Sequence, residues 1–198
     1  MGAPDPATLV GPASSAGGTA KAKVLELGCG FSKTPGAFGV DIIPNSQADL
    51  IHDLDVFPYP LKDSSWDRII CRDVLEHVGD FVRTMEEIWR VGAPGAIVEV
   101  RAPFMSSINF FSDPTHRRAF TSRSFDYFIE GRPAFRLGYS PARFEIVRCE
   151  YDSEEKHLRR GFHGWALGWA NRNKEQYENR YAFLYPLYNI YFDLRVVK

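Results

Sequence analysis
The stretch KVLELGCGFSKTPGAFGVDI, residues 23–42, limits the fold of this chain more than any other. An apolar run, Val24, Leu25 and Leu27, leads into Gly28-Cys29-Gly30, and a second short run, Phe38 and Val40, ends on Asp41. Strand, glycine turn, strand, acid is how a nucleotide-binding half-sheet begins, and the usual version has a full helix between glycines and acid, roughly twenty residues in all. Here ten residues separate Gly30 from Asp41, with Pro35-Gly36 among them. A diphosphate needs a glycine loop that opens directly onto a helix N-terminus. A nicotinamide-dependent oxidoreductase therefore fits poorly.

Strand-like and helix-like runs alternate beyond this point. Residues 23–27, 38–42, 48–52, 66–71 and 96–100 read as strands, and Phe57-Pro58-Tyr59-Pro60 as a loop, because proline is excluded from a helix interior. Phe81, Met85 and Ile88 fall at helical spacing, which predicts an amphipathic helix over 80–90 with Asp80 as its cap. Gly92-Ala93-Pro94-Gly95 is expected to break that helix. Residues 144–149 and 190–197 read as two late strands forming a hairpin at the sheet edge. The expected fold is α/β: a Rossmann-like, three-layer sandwich around a seven-stranded, mostly parallel sheet with a terminal antiparallel strand. One domain over residues 21–198 follows a Gly-, Ala-, Pro- and Ser-rich lead-in, residues 1–20, read as disordered.

The net charge of −1 argues against dependence on nucleic-acid phosphates. The three cysteines lack metal-ligand or disulfide spacing. No metal is expected, and a reducing cytoplasm is the expected location. No apolar run approaches the roughly 20 residues of a membrane span, and the first residues lack the pattern of a signal peptide.

In a sheet of this kind, ligands bind at the carboxyl ends of the strands. Gly28 and Gly30 end the first strand, Asp41 ends the second and Asp53 follows the third. Cys71-Arg72-Asp73 follows the fourth strand, and Arg101-Ala102-Pro103-Phe104 the fifth. Glycine lets backbone approach a ligand closely. A carboxylate beyond the second strand can accept from both ribose hydroxyls, and one beyond the third from an adenine amine. Each signal alone is weak; their joint order along one sheet edge carries the reading.

That order, in the segments VLELGCG, GVDI, HDLDVFPYPLKDSSWDRI, CRDVLEHV, EIWRVGAPGAIVEVRAPF and DPTHRRAFTSRSFDYF, resembles class I S-adenosylmethionine-dependent methyltransferases. It is most similar to the small-molecule type with Leu75-Glu76-His77 after the fourth strand, and to a subset that compresses the first helix. The resemblance covers residues 22–128. It implies that Glu26 and the Gly28-Cys29-Gly30 loop line the methionine part of S-adenosyl-L-methionine. Asp41 would hold the ribose and Ile42 would pack on adenine. Asp53 would face the adenine amine, with Leu54 beside it, while Cys71 and Arg72 would lie near the methionine amine and the sulfonium. Lys33 stands where a third glycine often sits. The implied reaction is methyl transfer to oxygen or nitrogen of a small-molecule, glycan or lipid-linked acceptor, with no nucleic-acid partner. The alternative is a non-catalytic scaffold module of the same fold.

Two histidines are candidates for handling the acceptor, His116 first and His77 second, because an acceptor hydroxyl must lose a proton and imidazole titrates near neutrality. Asp113-Pro114 reads as a turn that opens a helix, and Arg117-Arg118 as a solvated face. Residues 152–189 form an aromatic-rich insertion, read as a lid or as a surface for peripheral membrane contact. Glycines at 161, 164 and 168 predict a loop or interrupted helix over 157–170, a segment that includes Arg159 and Arg160, and aromatics at 181, 185 and 188 predict a packed helical face.

Overall fold
A computed structural model describes residues 9–12, 22–152 and 161–198. Seven strands run in the chain order β1 (Val24–Leu27), β2 (Phe38–Asp41), β3 (Leu50–Ile51), β4 (Trp66–Arg72), β5 (Gly92–Pro103), β6 (Phe144–Asp152) and β7 (Asn189–Val196). Their order across the sheet is β3-β2-β1-β4-β5-β7-β6. Strands β1 to β5 pair in parallel, while β7 runs antiparallel to both β5 and β6. The expected mostly parallel, seven-stranded sheet with an antiparallel final strand is the observed one.

Residues two apart on a strand share a face, and register carries this across the sheet. Leu25, Ile69, Val98 and Leu194 align in adjacent strands, as do Leu27, Cys71, Val100 and Phe192, and all are buried. Against this face pack the helix α1 (Phe81–Val91) and an aromatic cluster from the chain after β5. Phe81 touches Phe120, Phe125 and Phe128, and Phe125 reaches Phe192 at 4.7 Å between ring centres. The Asp80 carboxylate accepts from the Arg83 N–H as the helix cap.

The alternate positions make a charged face, on which Arg68 pairs with Glu99 and Arg148 with Asp193. The helix α3 (Gly161–Arg172) leans over it, with Leu167 and Asn171 lining a groove together with Glu99, Arg148 and Tyr191.

Several expectations differ from the structure. The lead-in is tied down at residues 9–12: Val10 exchanges backbone hydrogen bonds with Pro60 and Lys62 and packs against the core. The rest of residues 1–20 lies outside the described residues, as do Arg159 and Arg160. The helix α1 does end at Gly92 as expected, but residues 92–95 already belong to β5, which begins before the expected Ala96 and whose register with β4 slips between Trp66 and Arg68.

From Gly161 onward the expected loop or interrupted helix is one continuous helix. Its anchor is Asn171, whose amide accepts from the Tyr151 N–H and donates to the Tyr151 carbonyl, as a neighbouring strand would. That tertiary contact outweighs the glycine penalty. The next helix, α4 (Lys174–Arg180), stops before Tyr181, and Tyr177 is the tyrosine it buries. The turn at Asp113 closes a short helix, α2 (Ile108–Ser112), and opens none. Among the described residues no helix is long and apolar enough to cross a membrane.

Candidate functional site
At the carboxyl ends of β1 to β4 lies a cleft of about 740 Å³. Gly28, Gly30, Asp41, Ile42, Asp53 and Leu54 line it, together with Asp73, Val74, His77, Thr115 and Arg117. Gly28 has φ +68° and Gly30 φ +50°, so both occupy the left-handed region that glycine enters freely. The Asp41 carboxylate is buried and accepts from the Gly30 N–H at 2.7 Å and the Ile43 N–H at 2.9 Å. Each oxygen keeps a further lone pair for a ligand hydroxyl. Ile42 and Ile43 stand exposed beside it as an apolar wall.

The glycine loop keeps its shape without a helix because polar bonds stitch it from three sides. Glu26 accepts from the Thr34 N–H at 2.6 Å, and Arg72 donates to the Thr34 hydroxyl. The Gly30 carbonyl accepts from the Gln47 N–H, and Gln47 accepts from the Lys33 N–H. Lys33, the departure from a third glycine, reaches the Asp49 carboxylate at 2.7 Å. Burial raises the Asp49 carboxyl, but hydrogen bonds from Lys33 and the Gly39 N–H outweigh it and hold the group below its ordinary value.

A second group of residues brings together parts of the chain far apart in sequence. Phe104 and Phe120 pair as an isolated bridge, and the Met105 N–H donates to the Phe120 carbonyl, so the intervening loop is pinched at its base. This loop carries His116 to the turn after β4, where its ring lies 4.7 Å from that of His77. Arg118 secures the junction by donating to the Leu75, Val78 and Gly79 carbonyls. It is therefore a structural tie and not part of a solvated face. Glu76 is fully buried between the histidines' loops, 4.0 Å from His116 Nε2, and neither carboxylate oxygen has a hydrogen-bond partner among the described residues. Burial pushes its carboxyl up to about 8. Burial, then the neighbouring His116, holds the His77 imidazole below its usual range.

Glu76 and His116 also line a second, polar cleft of about 500 Å³ with Arg101, Asn109, Ser112, Asp113 and Asn189. Asp73 borders both clefts.

Of the residues anticipated for the cofactor, six line the first cleft and four do not. Glu26 sits behind the loop, and Cys29 is buried with its sulfur against Gly39. Cys71 is fully buried. Arg72 borders the groove on the charged face with Glu99 and Tyr191. The parity of β4 separates Cys71 from Arg72: one points into the core and the other to the opposite face. The sequence pattern assigned no site role to Glu76 or Thr115 and placed Arg118 on a solvated face, although LEHV and DPTHRR are the segments that contain them.

Residues 25–100 match the family model described as "Methyltransferase domain". No curated protein matches the chain. Among solved structures, the chain is similar to a S-adenosylmethionine-dependent methyltransferase from Archaeoglobus fulgidus, with TM-score 0.56 and 19% identity over 88% of this chain and 86% of that one. It is also similar to the YcgJ protein of Bacillus subtilis, with TM-score 0.54 and 14% identity over 90% of this chain and 93% of that one. A third likeness is to phosphoethanolamine N-methyltransferase 2 of Haemonchus contortus, solved with S-adenosyl-L-methionine: TM-score 0.52 and 16% identity, over 91% of this chain and 50% of that one.

Proposed function
We propose that this chain, an S-adenosylmethionine-dependent methyltransferase of class I, transfers its cofactor's methyl group to an oxygen or nitrogen of a small-molecule, glycan or lipid-linked acceptor. The observation that carries the reading is the single cleft shared by Gly28, Gly30, Asp41, Ile42, Asp53 and Leu54, with a second polar cleft beside it. The residues fit the cofactor: the open space above Gly30 admits the methionine tail, Asp41 accepts from the ribose, and Ile42 packs on adenine. Asp53 takes the adenine amine. Glu26 holds the loop in place through the Thr34 N–H. The cofactor supplies an electrophilic methyl on a sulfonium.

The protein's part is to align the acceptor with that methyl and to exclude water. A lone pair of the acceptor forms the new bond to carbon as the carbon–sulfur bond breaks, and its electrons stay on sulfur. An acceptor hydroxyl also gives up its proton, and the Glu76–His77–His116 cluster between the clefts serves that step. The lipid-linked members of the acceptor class have support of their own: exposed Ile108 and Phe111 border an apolar recess with Pro186 and Leu187. Vesicle flotation tests that member, and soluble acceptors that are fully active with no vesicle binding would remove it.

Transfer of a radiolabelled methyl to a panel of hydroxyl and amine acceptors tests the reading. Label is expected on at least one class, and His116→Ala is expected to retain S-adenosylhomocysteine binding while losing at least about 100-fold in turnover. Unlabelled acceptors throughout, from protein that binds the cofactor, would favour the scaffold alternative.

A further inference from the structure
We propose that Glu76, His77 and His116 form a binding site for a first-row divalent cation, set in the wall between the cofactor cleft and the second cleft, with open positions for the acceptor. One ligating atom from each of the three lies within 4.8 Å of the other two. His116 Nε2 and a Glu76 oxygen are 4.0 Å apart. Ligand bonds of about 2.0–2.2 Å to a common ion span nearly that distance, so small side-chain movements close the set.

The other ring nitrogens are already committed. The His116 Nδ1 faces the Phe110 carbonyl at 2.9 Å, and a carbonyl only accepts, so Nδ1 carries the proton and Nε2 the lone pair. The Thr115 hydroxyl gives its proton to Asp113 at 2.6 Å and therefore accepts from His77 Nδ1 at 2.9 Å. This leaves the lone pair on His77 Nε2 as well. Carboxylate or carbonyl acceptors behind ligating imidazoles are the usual means of orienting them toward a metal.

The decisive observation is Glu76. A fully buried carboxyl with neither oxygen bonded is costly, and here it lies against two imidazoles whose Nε2 lone pairs have no donor among the described residues. Arg101 attracts it but bonds its guanidinium to Asp73, and Arg118 donates to backbone carbonyls, so among the described residues neither oxygen receives a hydrogen bond from a cation. A cation satisfies all three groups at once. Two imidazoles and one carboxylate suit manganese, iron, cobalt or zinc better than the all-oxygen preferences of calcium and magnesium.

The position gives the ion a use, and in this respect the inference rests on the methyltransferase reading. His77 lines the cofactor cleft, while Glu76 and His116 line the second one. An acceptor hydroxyl bound to the ion from the second cleft becomes more acidic. Its proton leaves to water, and the oxygen attacks the methyl from the cation's coordination sphere. The two histidines then act as ligands, and no imidazole base is required.

Cobalt(II) is the probe, because its visible absorption reports coordination directly. The full chain, stripped with chelator, is titrated with cobalt chloride while absorbance and heat are followed, and S-adenosylhomocysteine affinity is measured on the same preparations. The expected result is one equivalent bound, with visible bands that weaken in Glu76→Gln and in His77→Gln and an affinity at least about tenfold lower in each. His163→Asn, remote from the cluster, is expected to match the unmodified chain. Glu76→Gln replaces a fully buried group, so the half-exposed His77 provides the variant whose folding is not at stake; circular dichroism checks both. No stoichiometric uptake by the folded chain, or unchanged affinity in His77→Gln, would overturn the site. Cobalt binding without S-adenosylhomocysteine binding would instead overturn the methyltransferase reading and leave the site standing.

Discussion

Replacing Gly28 with alanine separates two ways in which the glycine loop depends on glycine. A Cβ at Gly28 would stand 2.4 Å from Val74 Cγ2 and 2.6 Å from Val74 Cβ, while a Cβ at Gly30 would meet nothing within 4 Å. Both positions have positive φ, so each alanine carries the left-handed penalty of about 1–2 kcal/mol. Only Gly28→Ala adds the overpacking of a closed core, about 1–3 kcal/mol. Gly28→Ala should therefore cost about 3 kcal/mol and lower Tm by about 6–12 °C for a domain of this size. Gly30→Ala should cost about half as much or less.

Val74→Ala removes the two γ-carbons and is destabilising by roughly 1.5 kcal/mol on its own. Combined with Gly28→Ala it also removes the contact at Val74 Cγ2, while the one at Val74 Cβ stays. The double variant should thus be more stable than the sum of the singles by about 0.5–1 kcal/mol, the lower part of the range seen for contacting residues. Urea unfolding followed by circular dichroism measures all four proteins. Equal losses for the two glycine variants, or strict additivity of Gly28→Ala with Val74→Ala, would refute the steric account of the turn.

Three further outcomes follow from the same coordinates. Burial raises all three thiols, Cys29 to about 11 and Cys149 to about 12, and Cys71 is raised for the same reason. At pH 8 the native chain should react with an alkylating reagent far more slowly than the urea-unfolded chain, and rapid native labelling of Cys71 would contradict its position. Because the folded Asp49 carboxyl is held below its unfolded value, its stabilisation is present above the unfolded pKa and is lost as pH falls through the folded one. Between pH 5 and 3, the unmodified chain should lose more stability than Asp49→Asn, and parallel pH profiles would refute the Lys33–Asp49 tie. Arg118→Ala removes a cation bonded to three carbonyls of the turn after β4. It should lower stability by about 2–3 kcal/mol in the same urea assay, and a loss below about 0.5 kcal/mol would mean that the turn holds itself.

The parts of the site that could be read from the sequence are local ones. Gly28, Gly30 and Asp41 declare themselves because a strand, a turn and the next strand lie within twenty residues, and the sheet order then fixes which edge they share. Asp80 capping α1 is a signal of the same short range. Arg72 borders the groove on the charged face because adjacent residues on a strand face opposite sides: the pattern locates the strand end but does not tell which of Cys71, Arg72 and Asp73 lines the first cleft. The cluster of Glu76 with His116 was invisible for a different reason. Thirty-nine residues separate them, and the aromatic packing of Phe81 on Phe120, Phe125 and Phe128 that brings their loops together has no local signature. The glycines of α3 gave a true local preference that the Asn171 contact with Tyr151 overrides.

The central claim is that the cleft lined by Gly28, Gly30 and Asp41 holds S-adenosylmethionine, with Asp41 accepting from the ribose. Titration calorimetry of S-adenosylhomocysteine into the unmodified chain and into Asp41→Asn tests it most directly. The account predicts one site per chain and an affinity about 10- to 100-fold lower in the variant, the loss of hydrogen bonds to a charged acceptor. Equal affinity in the two folded proteins would contradict it.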